Sequence, residues 1–323
     1  MAVATQFELE GPEPHSQVAG PWRSALRRLL HKKIAVASLI VIFVIYGSGV
    51  LAEWIAPYDQ TEQNLVESEV SQGPSWDHPF GTDRLGRDRL TQSMFAARTT
   101  VIVTMATLLA GGGMIGVGLG LLAGYRRGRV DSLIMRSGEI FAALPGLLMM
   151  ILITATLRPR YDGWVLDFTE STGMDWIRDT GFSDMLLIFT ILSLFFWVGT
   201  ARIVRSQVLA LRETDFVLAA EAMGASTWRV VWSHLLPNIL PLVVVGFSAA
   251  LGAIVSTEIL LSYLGIGVKE ASFGKMLFEG GSIRTLQAHP HLLLIPGVIV
   301  AALIFSFNLL GDALNDVLSP RGR

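Results

Sequence analysis

The chain has 323 residues, of which 51% are hydrophobic and only 16% are charged. This balance is typical of a membrane protein rather than of a soluble domain. The formal charge of -2 is too small to indicate a partner, and the absence of cysteine excludes disulfides, thiolate metal sites and cysteine nucleophiles.

Six apolar runs are long enough, or nearly so, to cross a bilayer core, which takes about 20 residues of helix. Unpaired backbone amides are prohibitive in hydrocarbon and the runs do not alternate in polarity, so helices are favoured over a β-barrel. The sequence therefore predicts an all-α membrane protein with six transmembrane helices. They centre on residues 34–52, 99–125, 140–157, 185–201, 235–261 and 292–311.

The N-terminal segment, residues 1–33, is predicted to be a cytoplasmic tail because five basic residues precede the first span. Its first 20 residues are polar and contain Pro12, Pro14 and Gly20, which predicts disorder. The first span, residues 34–52, has 19 uncharged residues. Since the apolar core of a signal peptide has about 7 to 15 residues, we expect this span to be retained.

The distribution of basic residues predicts the orientation of the remaining segments. With six crossings, 15 of the 25 Lys and Arg residues fall inside, including Arg321 and Arg323 in the tail 312–323. The predicted external segments 53–97 and 158–184 are acidic, with eight and six Asp and Glu residues. Cytoplasmic loops retain Lys and Arg, so both termini are predicted to be cytoplasmic in a multi-pass protein of the cell membrane.

The first external segment regains helical periodicity from Leu85 onward and is expected to lead into span two. Just before and within this transition, acidic and basic residues alternate: Asp83, Arg84, Arg87, Asp88 and Arg89. Two interpretations remain open for them. One is a local salt-bridged surface, and the other is contact with a soluble external partner.

Span two carries a glycine at every fourth position, which places the glycines on one stripe of a helix: Gly112, Gly116, Gly120 and Gly124. Small residues let helix backbones approach closely in lipid, so the stripe is predicted to be a packing face. A GxGxxA spacing at residues 118–123 lacks the strand and turn of a dinucleotide site.

The sequence predicts no catalytic, cofactor or metal site. No GxxxxGK[ST] phosphate loop occurs, and Gly274 and Lys275, which come nearest, lack the first glycine and the hydroxyl. His289 and His291 would need further ligands to bind a metal. Glu139 and Glu258 lie near the ends of spans three and five, where a role in the transport pathway and a hydrogen bond to a neighbouring helix are both open.

The second external segment, 158–184, places four aromatic residues among its acids: Trp164, Phe168, Trp176 and Phe182. Most are expected in the interfacial belt of the membrane, and some could pack on an external partner.

The most informative segment is the predicted cytoplasmic region 205–236. Residues 212–223 can form a helix continuing from span four, Gly224 suits the left-handed position that ends it, and Ser226 can cap the next turn. Pro237 is then expected to restart the chain as span five. Residues 205–234 carry three Arg and three acids, a net charge of zero, which excludes nucleic acid and leaves a protein as the partner.

This region resembles the cytoplasmic motif of the permease subunits of binding-protein-dependent ABC importers, in the dipeptide, oligopeptide and nickel branch. Ala219, Ala220, Gly224, Leu236 and Pro237 match the motif, whereas Leu218 stands where the family has Glu. Glu221 is the nearest acid. The resemblance implies an ATPase-coupling helix formed by Leu218, Ala219, Ala220, Glu221, Ala222, Gly224, Ala225 and Ser226, with Leu236 and Pro237 behind it.

The resemblance extends over residues 54–321, through HPFGTDRLGRD at 78–88, GLLAGYRRGRVDSLIMR at 120–136, LPGLL at 144–148 and TEILLSYLGIG at 257–267. These segments are similar to the second, shorter permease of peptide importers. They imply that residues 98–311 form the transmembrane domain of a type I ABC importer.

The resemblance also implies the partners: a homologous second permease, two ATPase subunits that bind the ATP and Mg, an external solute-binding protein, and membrane lipid. Peptides are the implied substrate, with nickel complexes, glutathione or another small solute as alternatives. Two other classes remain open. A secondary transporter would need no ATPase, and a membrane scaffold would carry no substrate flux.

Overall fold

The computed structural model describes residues 21–60, 62–63, 70–268 and 271–318. The predicted disordered tail 1–20 and the basic residues Arg321 and Arg323 lie outside this part of the chain. Within it, the secondary structure is helical apart from one isolated antiparallel bridge between Thr82 and Asp88. This agrees with the predicted all-α class.

The helices follow one another with few long connections. In the N-terminal part they are α1 (Pro21–His31), α2 (Lys33–Val50), α3 (Ala52–Ile55), α4 (Arg89–Thr107), the π-helical segment π1 (Leu108–Val117), α5 (Gly118–Arg126), α6 (Gly128–Ala143) and α7 (Gly146–Thr172). They continue as α8 (Trp176–Asp179), α9 (Phe182–Leu211), α10 (Asp215–Ala222), α11 (Thr227–Arg229), π2 (Val230–Leu235), α12 (Leu236–Tyr263), α13 (Phe273–Gly280), α14 (Ile283–Ala288) and α15 (His291–Leu318).

Five helices in the described ranges are long and apolar enough to cross a membrane. They are Lys33–Val50, Arg89–Arg126, Phe182–Leu211, Thr227–Tyr263 and His291–Leu318. A sixth crossing is formed if the bent pair α6 and α7 counts as one span, so the structure has five or six candidate spans, compatible with the predicted six.

The third predicted span, residues 140–157, is wrong as a single straight helix. The chain bends by 88° between α6 and α7. Leu144 is extended, with φ -82° and ψ 143°, because the ring of the following Pro145 disfavours a helical conformation there. Pro145 also has no amide hydrogen to continue the helix.

Several other segments contain more helix than the sequence predicted. Part of the predicted tail 1–33 forms α1, and α15 runs seven residues into the predicted tail 312–323. The external insert 158–184 is largely helical, because α7 continues to Thr172. Arg158 of α7 donates to the carbonyl oxygens of Ile266 and Gly267, at 2.9 and 2.6 Å, and pairs with Asp184 at 2.6 Å.

Helix α9 is the centre of the bundle and packs against π1, α5, α4 and α12, while α15 packs between α12 and α2. The largest buried cluster lies around Ile188, Leu192 and Ile254. A second cluster, around Phe273 and Phe307, joins α13 to α15. Along α9, the buried residues run from Ser183 near its start to Val208 near its end, which lies within the predicted cytoplasmic region 205–236.

Candidate functional site: the cytoplasmic coupling region

The turn that follows α10 has the geometry of a Schellman motif. Gly224 has a φ of +84°, as its predicted left-handed position requires. The Ala225 amide donates to the Ala220 carbonyl at 3.0 Å, and the Gly224 amide donates to the Glu221 backbone carbonyl at 2.9 Å. These two bonds satisfy carbonyls that the helix end would leave unpaired, so the turn has one defined shape.

Ser226 caps the next helix, as predicted, since its side chain accepts from the Arg229 amide at 3.4 Å. The prediction that Pro237 restarts the chain is wrong, because one continuous helix runs from Thr227 to Tyr263. Pro237 is the second residue of α12, two positions after the end of π2. The wider winding of π2 next to this position tolerates a residue that has no amide hydrogen to donate.

The start of α10 differs from the prediction. The sequence predicted one helix continuing from span four through residues 212–223, but α9 ends at Leu211 and α10 begins at Asp215. Thr214 between them is extended, with φ -82° and ψ 150°. Arg212 donates to the Tyr125 carbonyl oxygen at 2.7 Å, which anchors the break to the end of α5. The predicted coupling helix is therefore a separate element, α10, held by tertiary contacts.

The coupling turn, defined as residues 218–226, presents an exposed surface in this chain. Met223 is 82% exposed and Leu218 is 50% exposed. Ala219, Ala222, Gly224 and Ser226 are also exposed, while Ala220 is buried on the inner side with Val217. Of the two residues behind the turn, Leu236 is half-buried and Pro237 is exposed. The small outer residues leave room for a close approach by another protein.

Glu221 is engaged within the chain. The Tyr125 hydroxyl donates to its carboxylate at 3.0 Å, and Tyr125 also packs under the Arg212 guanidinium, 5.7 Å from the ring centroid. At Leu218, where the resemblance implies Glu, the side chain is apolar and half exposed. Tyr125 was not predicted, because no local pattern shows that the end of span two meets the coupling helix.

A second contact joins the residue after α5 to the connection between α9 and α10, where Arg127 pairs with Glu213. A hydrogen bond from Arg127, followed by its charge, lowers the pKa of Glu213. Both side chains are largely solvated, so this pair contributes little to stability.

The glycine stripe faces α9. A Cβ atom added at Gly116 would lie 2.8 Å from Thr200 Cβ, and one added at Gly120 or Gly124 would lie 2.7 Å from Val204 or Val208 Cβ. At Gly112 the nearest atom belongs to Phe247, at 3.1 Å. Only glycine allows this approach of α5 to α9, so the stripe fixes the end of α5 and thereby Tyr125.

The two acidic residues of the spans have different surroundings. Glu258 is fully buried and accepts hydrogen bonds from Thr100 of α4 at 3.1 Å and Ser262 at 3.0 Å. Its carboxylate thus joins α12 to α4. Glu139 is exposed on α6. Among the described residues, no three His, Asp or Glu side chains form a group that could hold a metal ion.

At the external end, the alternating charges take part in a partly buried network, which we call the external cluster: Asp83, Arg87, Arg89, Gln92 and Glu279. Asp83 is 2% exposed and accepts four hydrogen bonds of 2.7 to 2.9 Å, from the amides of Leu85 and Arg87 and from the side chains of Arg87 and Gln92. Glu279 of α13 lies 3.3 Å from Arg89. The cluster fits the local salt-bridged interpretation.

Two other residues of the alternating run also have partners in the chain. Arg84 bonds to Thr285, and Asp88 pairs with His78 at 2.9 Å. Gln92 and Glu279 could not be found from the sequence, because neither stands out locally.

The chain is thus a multi-pass, all-helical membrane protein with a structured cytoplasmic turn. Residues 116–323 match the family described as "Binding-protein-dependent transport system inner membrane component", and residues 20–74 match "N-terminal TM domain of oligopeptide transport permease C". The chain belongs to this family of inner-membrane permeases of ABC importers, which confirms the predicted type I importer class and the cell-membrane localisation.

Curated relatives cover nearly the whole chain. The dipeptide transport system permease protein DppC of Bacillus subtilis is 32% identical over 100% of both chains. The oligopeptide permease OppC of the same organism is 34% identical over 94% of this chain and 90% of its own. The glutathione transport system permease GsiD of Pectobacterium atrosepticum is 31% identical over 94% and 92%. A solved structure of the inward-facing MetNI methionine ABC transporter gives a TM-score of 0.46 at 19% identity, over 68% of this chain and 95% of that one.

Proposed function

We propose that this chain is the permease subunit of an ATP-driven importer whose substrates are dipeptides or oligopeptides. The names of two relatives, DppC and OppC, support peptides as the substrate class. Glutathione is the second candidate, because GsiD is named for it. Uptake of labelled dipeptide, oligopeptide and glutathione by cells with and without the chain separates the two, since only the true substrate class loses its uptake.

In this proposal the chain pairs with a homologous permease, and each permease rests on one ATPase subunit. An external solute-binding protein delivers the substrate. ATP and Mg bind to the ATPases, and this chain contributes no hydrolytic group. The support is its membership in a binding-protein-dependent family and the lack of a phosphate loop in the sequence.

The coupling turn is the proposed contact with the ATPase. The observation that carries this step is the exposed, small-residue surface of residues 218–226 on a turn whose backbone bonds fix its shape. Closure of the ATPases would push on this turn. The Tyr125 contacts with Glu221 and Arg212 would then pass the displacement to α5, and the glycine stripe would pass it to α9. Rigid-body transmission of this kind requires no chemistry in the permease.

The test is an acidic side chain on the coupling turn. Gly224→Glu changes both the backbone and the surface, so Met223→Glu is made alongside it, because Met223 is 82% exposed and a charge there should leave the fold intact. Trp76→Glu, at a fully exposed external position, is the matched control. We expect both coupling-turn variants, but not the control, to lose ATPase co-purification and substrate-stimulated ATP hydrolysis.

Retention of both properties in Met223→Glu and Gly224→Glu would show that the coupling turn does not contact the ATPase. The same material distinguishes the other classes. A secondary transporter would take up substrate when the ATPases are deleted, and a scaffold would show no flux with every subunit present.

A further inference from the structure

An apolar groove lies beside the coupling turn. It is a cavity of about 360 Å³ between α5 and the start of the helix Thr227–Tyr263. Its walls include Leu122, Tyr125 and Arg126 on one side and Trp228 and Trp232 on the other. This volume falls within the range of ligand pockets, about 300 to 1,000 Å³.

The groove exposes a large apolar surface in the chain. Trp228 is 70% exposed, Trp232 is 48% exposed and Leu122 is 42% exposed. The two indole rings lie 5.0 Å apart and form one continuous wall. Apolar surface of this kind usually marks a contact with a partner or with the membrane.

Arg126 supplies a positive charge at the groove without a partner in the described part of the chain. The neighbouring cations differ, since Arg127 pairs with Glu213 and Arg212 bonds to the Tyr125 carbonyl. An unpaired guanidinium above an apolar cleft is complementary to a ligand that has an anionic head and a hydrocarbon tail.

The position of the groove decides which such ligand fits. Helix α5 ends at Arg126, and the positive-inside distribution puts this end at the cytoplasmic surface of the membrane. Tryptophan rings concentrate at the membrane–water boundary, and basic side chains there attract anionic lipids. We infer that the groove binds an anionic phospholipid, with an acyl chain against Trp228 and Trp232 and the phosphate at Arg126.

The site would act on the coupling region through shared residues. Tyr125, which lines the groove, is the hydrogen-bond donor to Glu221, and Trp228 follows Gly224 by four positions. A bound lipid therefore packs against the same residues that hold the coupling turn. The inference depends on the membrane orientation and is independent of whether the ATPase contacts the turn.

Tryptophan quenching tests this site. The full chain, purified with the subunits that accompany it, is placed in nanodiscs of phosphatidylcholine containing a minor share of phosphatidylglycerol, with bromine on the acyl chains of only one lipid. The chain has 8 tryptophans, so the signal of the groove is the difference between the wild type and the double variant Trp228→Phe, Trp232→Phe. We expect brominated phosphatidylglycerol to quench this pair more than the same share of brominated phosphatidylcholine.

Arg126→Gln should reduce that preference about fivefold, the usual contribution of one basic residue near an anionic membrane surface. Arg202→Gln removes an exposed charge from α9 outside the groove and should leave the preference unchanged. Equal quenching by the two lipids, in wild type and variant alike, would overturn the inference. It is also wrong if neither lipid quenches the pair in the assembled complex, because a protein subunit then fills the groove.

Discussion

The external cluster and the coupling turn lie at opposite ends of one continuous helix, Arg89–Arg126, and differ in how they satisfy their polar groups. In the external cluster, Asp83 is 2% exposed and accepts four hydrogen bonds from its own chain. In the coupling turn, the backbone bonds are closed and Glu221 and Ser226 have partners, but side chains such as Met223 remain exposed. The first region is complete within the chain, whereas the second has a fixed backbone and an open surface.

The largest expected effect comes from breaking the external cluster. Asp83→Ala removes the acceptor of four hydrogen bonds, including the one from the buried Gln92 side chain, and we expect the free energy of unfolding to fall by about 3 to 5 kcal/mol. Thermal unfolding in detergent measures this. Asp77→Ala removes an exposed carboxylate nearby and should change stability by less than about 0.5 kcal/mol. Similar losses in the two variants would contradict the contrast between the regions.

Acid should weaken the same cluster. Burial raises the pKa of Asp83, but hydrogen bonds from the Arg87 amide, Gln92 and the Arg87 side chain outweigh it and hold the pKa below its ordinary value of 3.8. A lowered pKa contributes stability above the ordinary value, and this contribution is lost as the pH falls below it. The stability difference between wild type and Asp83→Ala should be constant from pH 8 to about 5 and shrink below about pH 4. A constant difference down to pH 3 would contradict this.

A smaller effect is expected at the coupling turn. Gly224→Ala forces a side chain into the left-handed region, at a cost of about 1 to 2 kcal/mol, although its Cβ would meet no atom within 4 Å. Gly224→Asn should lose less, because Asn tolerates this conformation. Gly47→Ala is the control, with equally open surroundings in a regular helix, and should not destabilise. Equal unfolding temperatures for the two Ala variants would mean that the turn is not fixed.

The hydrogen bond between α5 and the coupling turn should contribute less to the free energy of unfolding than Gly224 does. Tyr125→Phe removes the hydrogen bond to Glu221, and we expect a loss of about 0.5 to 1.5 kcal/mol. Hydrogen exchange should speed up in α10 and stay unchanged in the external cluster. Ser137→Ala, which removes a hydroxyl bonded only within α6, serves as the control. Unchanged exchange in α10 would show that Tyr125 does not hold the coupling helix.

The smallest effect is predicted for Leu218→Glu, which places an acid where the family resemblance implies one. Leu218 is 50% exposed, so the free energy of unfolding should change by less than about 0.5 kcal/mol. Val217→Glu, on the buried neighbour, is the contrasting variant and should destabilise strongly. A large loss in Leu218→Glu would mean that this side of α10 is not an open surface.

The sequence predicted those features that depend on a few neighbouring residues. Hydrophobic runs located most spans, and Gly224 and Ser226 indicated the turn because their conformations are decided locally. The break at Leu144 was also visible as a Leu-Pro pair, yet the surrounding apolar run favoured a single helix. In that case the backbone restriction by proline outweighed hydrophobicity.

The tertiary contacts of the two regions could not be predicted in the same way. Tyr125 meets Glu221 across 96 positions of the chain. Glu279 reaches Arg89 from α13, a short helix with no unusual composition. Such pairs depend on how the helices pack, which the glycine stripe partly sets but which hydropathy does not encode.

The continuous helix between the two regions also has a mechanical consequence. It has 38 residues, so at about 1.5 Å per residue it is a rod of roughly 57 Å. Tyr125 is near one tip and Arg89 is at the other. A tilt of about 5° pivoting at one tip would move the other by about 5 Å, given that length. A small rotation of this helix at the cytoplasmic surface therefore becomes a movement of ångström scale at the outer face.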